Sequence, residues 1–202
     1  MKNETQENWQ RQIYRCFSQL LDYPTPNFVE QIRTSIDLLK ADYQEAAVQL
    51  EKFLSFVEST PMGRLEEVYT GTFDINPACH IFAGHILFGE SFKRGAFMAK
   101  LEEEYQERHF DKGKELTDHI PVLLRFLATL DSNDTFANEL IKDCLIPVFQ
   151  KMNANFKDES SNPYAPVLEI ALVLLEAGKL DSGESDEPSS SHIHPIIDIK
   201  PI

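Results

Sequence analysis

The side chains best equipped for chemistry fall in two short stretches. Cys79, His80 and His85 lie close together in sequence, and a thiolate with two neutral imidazoles makes a good zinc ligand set. No C-x-x-C accompanies them and no second paired cluster follows. The five-residue step from His80 to His85 also places the two poorly on one helix face. The expectation is therefore no metal. The second stretch is Asp118-His119, since an imidazole beside a carboxylate is a common acid–base arrangement. Adjacent helical positions point about 100° apart, however, and Asp118 has a sufficient structural role as a helix N-cap. The sequence holds no G-x-S-x-G elbow, no G-x-x-x-x-G-K-[ST] loop and no G-x-G-x-x-G turn, so neither a nucleophile frame nor a phosphate cradle is present. A small metal protein or a His/Asp enzyme is the minor reading. Binding is the major one, and the region from Phe73 to Arg94, rich in Phe and interspersed with charge, suits a groove.

The elements that must position these residues read as helices throughout. Trp9, Ile13, Phe17, Leu20 and Leu21 form an apolar stripe at helical spacing, ended by Tyr23-Pro24. Thr25-Pro26 and Thr60-Pro61 read as N-cap plus first-turn proline of two later helices. Their inward faces are Val29, Ile32, Ile36 and Leu39 in one and Leu65, Val68, Tyr69 and Phe73 in the other, with Ala46, Leu50, Phe53, Leu54 and Val57 marking a helix between them. Asn76-Pro77 reads as a turn. A helix is expected from about Glu90 to Arg108, and another capped by Thr117 or Asp118 with Leu123, Leu124, Leu127 and Leu130 inward. Pro147 predicts a kink or break between Phe136 and Met152. The stretch from Val167 to Leu175 is apolar apart from Glu169, which suits a helix at the centre of a bundle, and Gly178 reads as its C-terminal stop.

At 202 residues, with only 8 glycines, the chain is long enough to bury a core and poorly suited to an all-β fold of tight turns. The three cysteines, an odd and widely spaced set, argue for a reducing compartment. The polar N-terminus shows no secretory signal, and no run reaches the roughly 18 apolar residues of a spanning helix. A cytoplasmic protein is expected, organised as an all-α domain over residues 1–180 with an acidic, disordered tail over 181–202. The formal charge is −14, which speaks against nucleic acid and anionic membrane as partners. The tail carries five acidic residues against Lys200, a net −4, so residues 1–180 hold the remaining −10.

Several of these stretches are recognisable together. The run His85-Ile86-Leu87-Phe88-Gly89-Glu90-Ser91-Phe92-Lys93-Arg94-Gly95-Ala96-Phe97-Met98 resembles the "EH-x-x-GES-x-x-RG-x-x-M" block of the NarJ-type nitrate reductase assembly chaperones, with Leu101 and Tyr105 following. Glu115-Leu116-Thr117-Asp118-His119-Ile120-Pro121 resembles that family's "ELPDHLP". Leu21-Asp22-Tyr23-Pro24 resembles its "L-x-YP", Tyr69 with Phe73-Asp74 its "Y-x-x-x-F", and Asn162-Pro163-Tyr164-Ala165 the start of its last helix. The resemblance spans about residues 10–178. It implies a single-domain helical bundle of the NarJ/TorD type that is not a catalyst and carries no cofactor. It also implies binding of the N-terminal peptide of a molybdopterin-dependent catalytic subunit until metal centres and molybdenum cofactor are inserted. No nucleic acid and no membrane insertion are expected, and a proofreader of full twin-arginine leaders is the nearest alternative.

Carried onto this chain, the peptide site comprises Tyr69, Phe73, Phe88 and Tyr105 as an apolar floor, with Glu90, Glu115 and Asp118 offering carboxylates to a basic peptide. His85 belongs to the same set. Arg94 either meets the ligand or pairs internally, and His119 hydrogen-bonds a peptide carbonyl or responds to pH. Gly89 and Gly95 are expected at close approaches of backbone or helix. Two departures stand out: Thr117 replaces the family's proline, implying a softer loop, and Gly84 stands where some members have Glu before the histidine.

Overall fold

A computed structural model describes residues 2–75, 79–156 and 162–181. They form ten α-helices: α1 (Lys2–Leu20), α2 (Phe28–Leu39), α3 (Gln44–Ser59), α4 (Met62–Phe73), α5 (Ala83–Phe88), α6 (Phe92–Glu107), α7 (Ile120–Leu127), α8 (Thr135–Glu139), α9 (Ile146–Phe156) and α10 (Ala165–Asp181). No strand occurs among the described residues; the one isolated bridge pairs Phe82 with His119. The all-α expectation holds. The Asn76-Pro77 turn lies outside the described residues, as does the 181–202 tail apart from Asp181, which ends α10.

Apolar stripes decide the packing. The α1 stripe buries Ile13, Phe17 and Leu20 against α2 and α7, and Trp9 donates its indole N–H to the Leu38 carbonyl (3.3 Å) while stacking on Tyr43. A second layer is α3 against α10 and α10 against α9, joined by an aromatic core of Phe53, Tyr69, Phe73 and Tyr164 with ring centroids 5.0–6.0 Å apart. Aromatic edge-to-face pairs of this kind add to the area buried.

The central helix is α7 rather than α10. All of α7 from Ile120 to Leu127 is buried except Arg125. Along α10, Glu169, Val173 and Glu176 recur at helical spacing and face solvent, with Val173 46% exposed. The α10 sequence is apolar enough for the centre, yet among the described residues no helix covers the stripe of Glu169, Val173 and Glu176. Gly178 does not stop α10, which continues to Asp181.

Prolines act as breakers, but not always at the expected residue. Thr25-Pro26 forms a turn and Asn27 occupies the N-cap of α2. Thr60 instead closes the end of α3, its hydroxyl donating to the Phe56 carbonyl (2.6 Å), so that Pro61 is the N-cap of α4. Near Pro147 the chain forms a π-helical segment, Leu140–Leu145, before α9 begins at Ile146. The wide turn lies directly before Pro147, where the helix must do without a backbone N–H.

Candidate functional site

The site is built where the α5–α6 elbow meets the loop before α7. Two backbone bonds fix them together: Ala83 N–H to the Asp118 carbonyl (2.8 Å) and Ile120 N–H to the Ile81 carbonyl (2.9 Å). The elbow turns at Gly89, with φ 62° and ψ −158°, a conformation open essentially to glycine alone. Lys151 donates to the Ile86 carbonyl (3.3 Å), satisfying one of the end groups of α5.

Across this junction runs a line of polar side chains. Arg94 of α6 donates from Nε to Asp118 Oδ2 (2.9 Å) and from Nη1 to Glu90 Oε1 (3.2 Å). Glu90 Oε1 also lies 3.0 Å from His85 Nδ1, and the His85 ring packs edge-on against His80 at 4.3 Å. Burial grades along the line: the Asp118 side chain is 0% exposed, Arg94 16% and Glu90 79%. The guanidinium lies over the Phe82 ring at 5.6 Å, and Phe82 sits 5.4 Å from the His119 ring. Asp118 is thus the buried partner of an ion pair. The N-cap of α7 is His119, whose side chain makes no capping bond.

Gly84 makes this geometry possible. A Cβ there would lie 2.7 Å from Asp118 Oδ2 and 3.1 Å from both Arg94 Cγ and Phe97 Cδ1. The glutamate that some family members carry before the histidine therefore has no room at this position. Gly89 and Gly95, expected at close approaches, have nothing within 4 Å of an added Cβ; the close approach belongs to Gly84. Thr117, in place of the family's proline, is tied down rather than loose. Its hydroxyl donates to the Met98 carbonyl (3.2 Å) and its own carbonyl accepts from the Tyr105 hydroxyl (2.8 Å).

The expected residues divide by depth. His85, Glu90, Arg94, Asp118 and His119 come together, with Phe88 half-buried beside Phe97 (5.6 Å). Tyr69, Phe73 and Tyr105 are interior. Tyr69 donates its hydroxyl to the Leu21 carbonyl (3.1 Å), and Tyr105 packs on Phe110 and Phe126 beneath Thr117. Their depth makes them supports of the surface rather than its exposed floor. Glu115 is exposed. Sequence reasoning missed Phe82, under the Arg94 guanidinium, which gives no signal beyond an apolar cluster.

His119 is 4% exposed, and among the described residues its buried Nδ1 has no hydrogen-bond partner, nor has Asp118 Oδ1. Burial pushes the His119 pKa down, with Arg125 in the same direction, while Asp22, Glu115 and Asp118 oppose the shift. His80 is also pushed down, by burial and by neighbouring His85. The unfolded chain therefore binds protons to these histidines more readily than the folded one. Stability is expected to be full above pH 7 and to fall as pH drops below about 6.5. Urea unfolding at pH 7.5 and 5.5 checks this: His119→Gln should shrink the loss, and an unchanged pH slope would assign it elsewhere.

Cys79 is fully buried, its thiol 4.0 Å from the Met152 carbonyl. Among the described residues no three His, Cys, Asp or Glu side chains are arranged to hold a metal ion, and no helix is long and apolar enough to cross a membrane.

The chain as a whole is similar to known proteins. Over 174 residues the chain is 27% identical to the nitrate reductase molybdenum cofactor assembly chaperone NarJ of Escherichia coli, in strain K12 and in O157:H7, covering 84% of this chain and 72% of each relative. A solved structure described as a redox enzyme maturation protein of Archaeoglobus fulgidus superposes with TM-score 0.57 at 20% identity, covering 82% of this chain and 93% of that one; the fold is shared. The family model for the nitrate reductase delta subunit matches residues 36–168, which contain both the elbow and the loop before α7. The chain therefore belongs to the nitrate reductase delta subunit family, and its matched relatives are molybdenum cofactor assembly chaperones.

Proposed function

We propose that the protein is a cytoplasmic chaperone that binds the N-terminal segment of a nitrate reductase-like, molybdopterin-dependent catalytic subunit, and keeps it until the cofactor is inserted. The supporting observation is convergence. Two motifs distant in sequence, 85–98 and 115–121, meet in one line of ion pairs that begins at buried Asp118 and ends at exposed Glu90. The buried end fixes the geometry, and the exposed end is what a peptide meets.

The chemistry fits a basic, partly apolar ligand. Glu90 and Glu115 are exposed carboxylates on either side of the junction, half-buried Phe88 offers apolar area, and the chain carries −14. Complementary charge of this kind raises association rate and specificity more than affinity.

Titration by calorimetry with a synthetic peptide of the client's first residues tests the reading. One peptide per chain is expected, with affinity falling as salt rises. The double replacement His85→Ala, Glu90→Gln leaves the buried Asp118–Arg94 pair in place and should weaken binding by about ten-fold, the order of one or two charge-assisted hydrogen bonds. Undiminished affinity in that variant would remove the elbow from the site.

A further inference from the structure

At the end of α7 opposite to Asp118 and His119, a cavity of about 360 Å³ opens between α1, the turn after α7, α8 and the end of α10. That volume lies within the range of small-ligand sites. Gly178 keeps it open: a Cβ there would lie 3.1 Å from Gln10 Nε2 and 3.5 Å from the Tyr14 hydroxyl.

The walls have a specific hydrogen-bonding character. Tyr14 is only 8% exposed, and burial pushes its phenol up to about 12. Tyr69 and Tyr105 place their hydroxyls on carbonyls, whereas the Tyr14 hydroxyl, which faces the cavity, has no hydrogen bond among the described residues. The carboxamides of Gln10 and Asn138 also line the cavity without one. Donors and acceptors that are uncommitted within the fold can serve a ligand.

The charges narrow the ligand class. Arg11 is committed to Asp131 and to the Leu130 carbonyl (3.3 Å), so an anion finds no free guanidinium there. Glu7 accepts the Ser132 hydroxyl (2.6 Å) on one oxygen, and the cation among the lining residues, Arg11, is paired with Asp131 rather than with it. From Glu7 to Tyr14 the α1 face runs about 10 Å at 1.5 Å per residue, which matches about three extended residues at roughly 3.3 Å each. Carboxamides and a phenol along that length mirror the alternating donors and acceptors of a peptide main chain.

We propose that this cavity binds an extended peptide segment of about three residues with one basic side chain. Gln10, Asn138 and Tyr14 hold its main-chain amides, and Glu7 holds its cation. The proposal is independent of the client surface around Asp118.

The test uses the full chain, labelled with nitrogen-15, titrated with acetyl-Ala-Lys-Ala-amide. Shifts are expected in the backbone amides of 6–14 and 131–138. Tyr14→Phe should weaken binding by about five-fold, the size of one neutral hydrogen bond, while leaving the unfolding midpoint unchanged, because the hydroxyl makes no hydrogen bond among the described residues. Glu7→Gln should weaken the lysine peptide and leave acetyl-Ala-Ala-Ala-amide unaffected. Three results would overturn the proposal: no shifts in these segments at on the order of 10 mM peptide, a range in which even millimolar affinity shows; the same shifts with sucrose or butylamine; or a Tyr14→Phe variant that is less stable yet binds unchanged.

Discussion

Replacing Asp118 by Ala is expected to cost about 3 kcal/mol of stability, because it strands the Arg94 guanidinium without its buried partner. Removing one member of a buried pair typically costs 3–5 kcal/mol. The lower end applies because Arg94 keeps its bond to Glu90 and is 16% exposed. Asp118→Asn keeps the shape and an acceptor oxygen, so roughly half that loss is expected. The urea midpoint should fall with the slope unchanged. A loss below about 0.5 kcal/mol, ordinary for a surface change, would mean that the pair does not hold the loop. Client-peptide affinity measured alongside separates the roles: the elbow variant His85→Ala, Glu90→Gln should lose affinity with little stability, and Asp118→Ala should lose both.

The second large effect is expected at Gly84. An added methyl falls 2.7 Å from Asp118 Oδ2, and neither neighbour yields easily, since Asp118 and Phe97 are both 0% exposed. The strain should cost about 2–3 kcal/mol, after a gain of up to about 1 kcal/mol from the better helix former. Gly95 is the matched control. Its added Cβ meets nothing within 4 Å, so Gly95→Ala in α6 should be neutral or stabilising by up to about 1 kcal/mol. Thermal unfolding of the two variants side by side gives opposite signs if the close approach is real. Combining Gly84→Ala with Asp118→Ala should cost less than the two separate losses by at least about 0.5 kcal/mol, because both act on one ion pair.

Much of the fold was legible because helix periodicity is local. The stripe of Trp9, Ile13, Phe17 and Leu20 needs only 3.6-residue spacing to be seen, and α1 follows it. The misplaced features were those with two local solutions. Thr60 is as good a partner for the last turn of α3 as for the first of α4, and only the packing chose the former. Gly178 suits a helix stop, but the close approach of α1 gave it a different task within α10. The π-helical segment before Pro147 lay within the kink or break expected there, though not its form.

The site divides in the same way. The sequence by itself determined the all-α class, the acidic charge and the two stretches, 85–98 and 115–121, that carry the polar side chains, because composition, periodicity and motif order are properties of the chain read end to end. Only the tertiary structure decided which of those side chains pair. Asp118 lies 24 positions from Arg94 and 34 from Gly84 along the chain, separations at which no periodicity links residues. His80 and His85, poorly matched on one helix face, meet at 4.3 Å because His80 precedes α5 and is not bound by helical geometry. Burial is likewise set by the whole molecule. It made Tyr69, Phe73 and Tyr105 interior supports, left Glu90 in solvent, and turned Asp118 from a helix cap into the anchor of an ion pair, since a carboxylate withdrawn from water must find a cation.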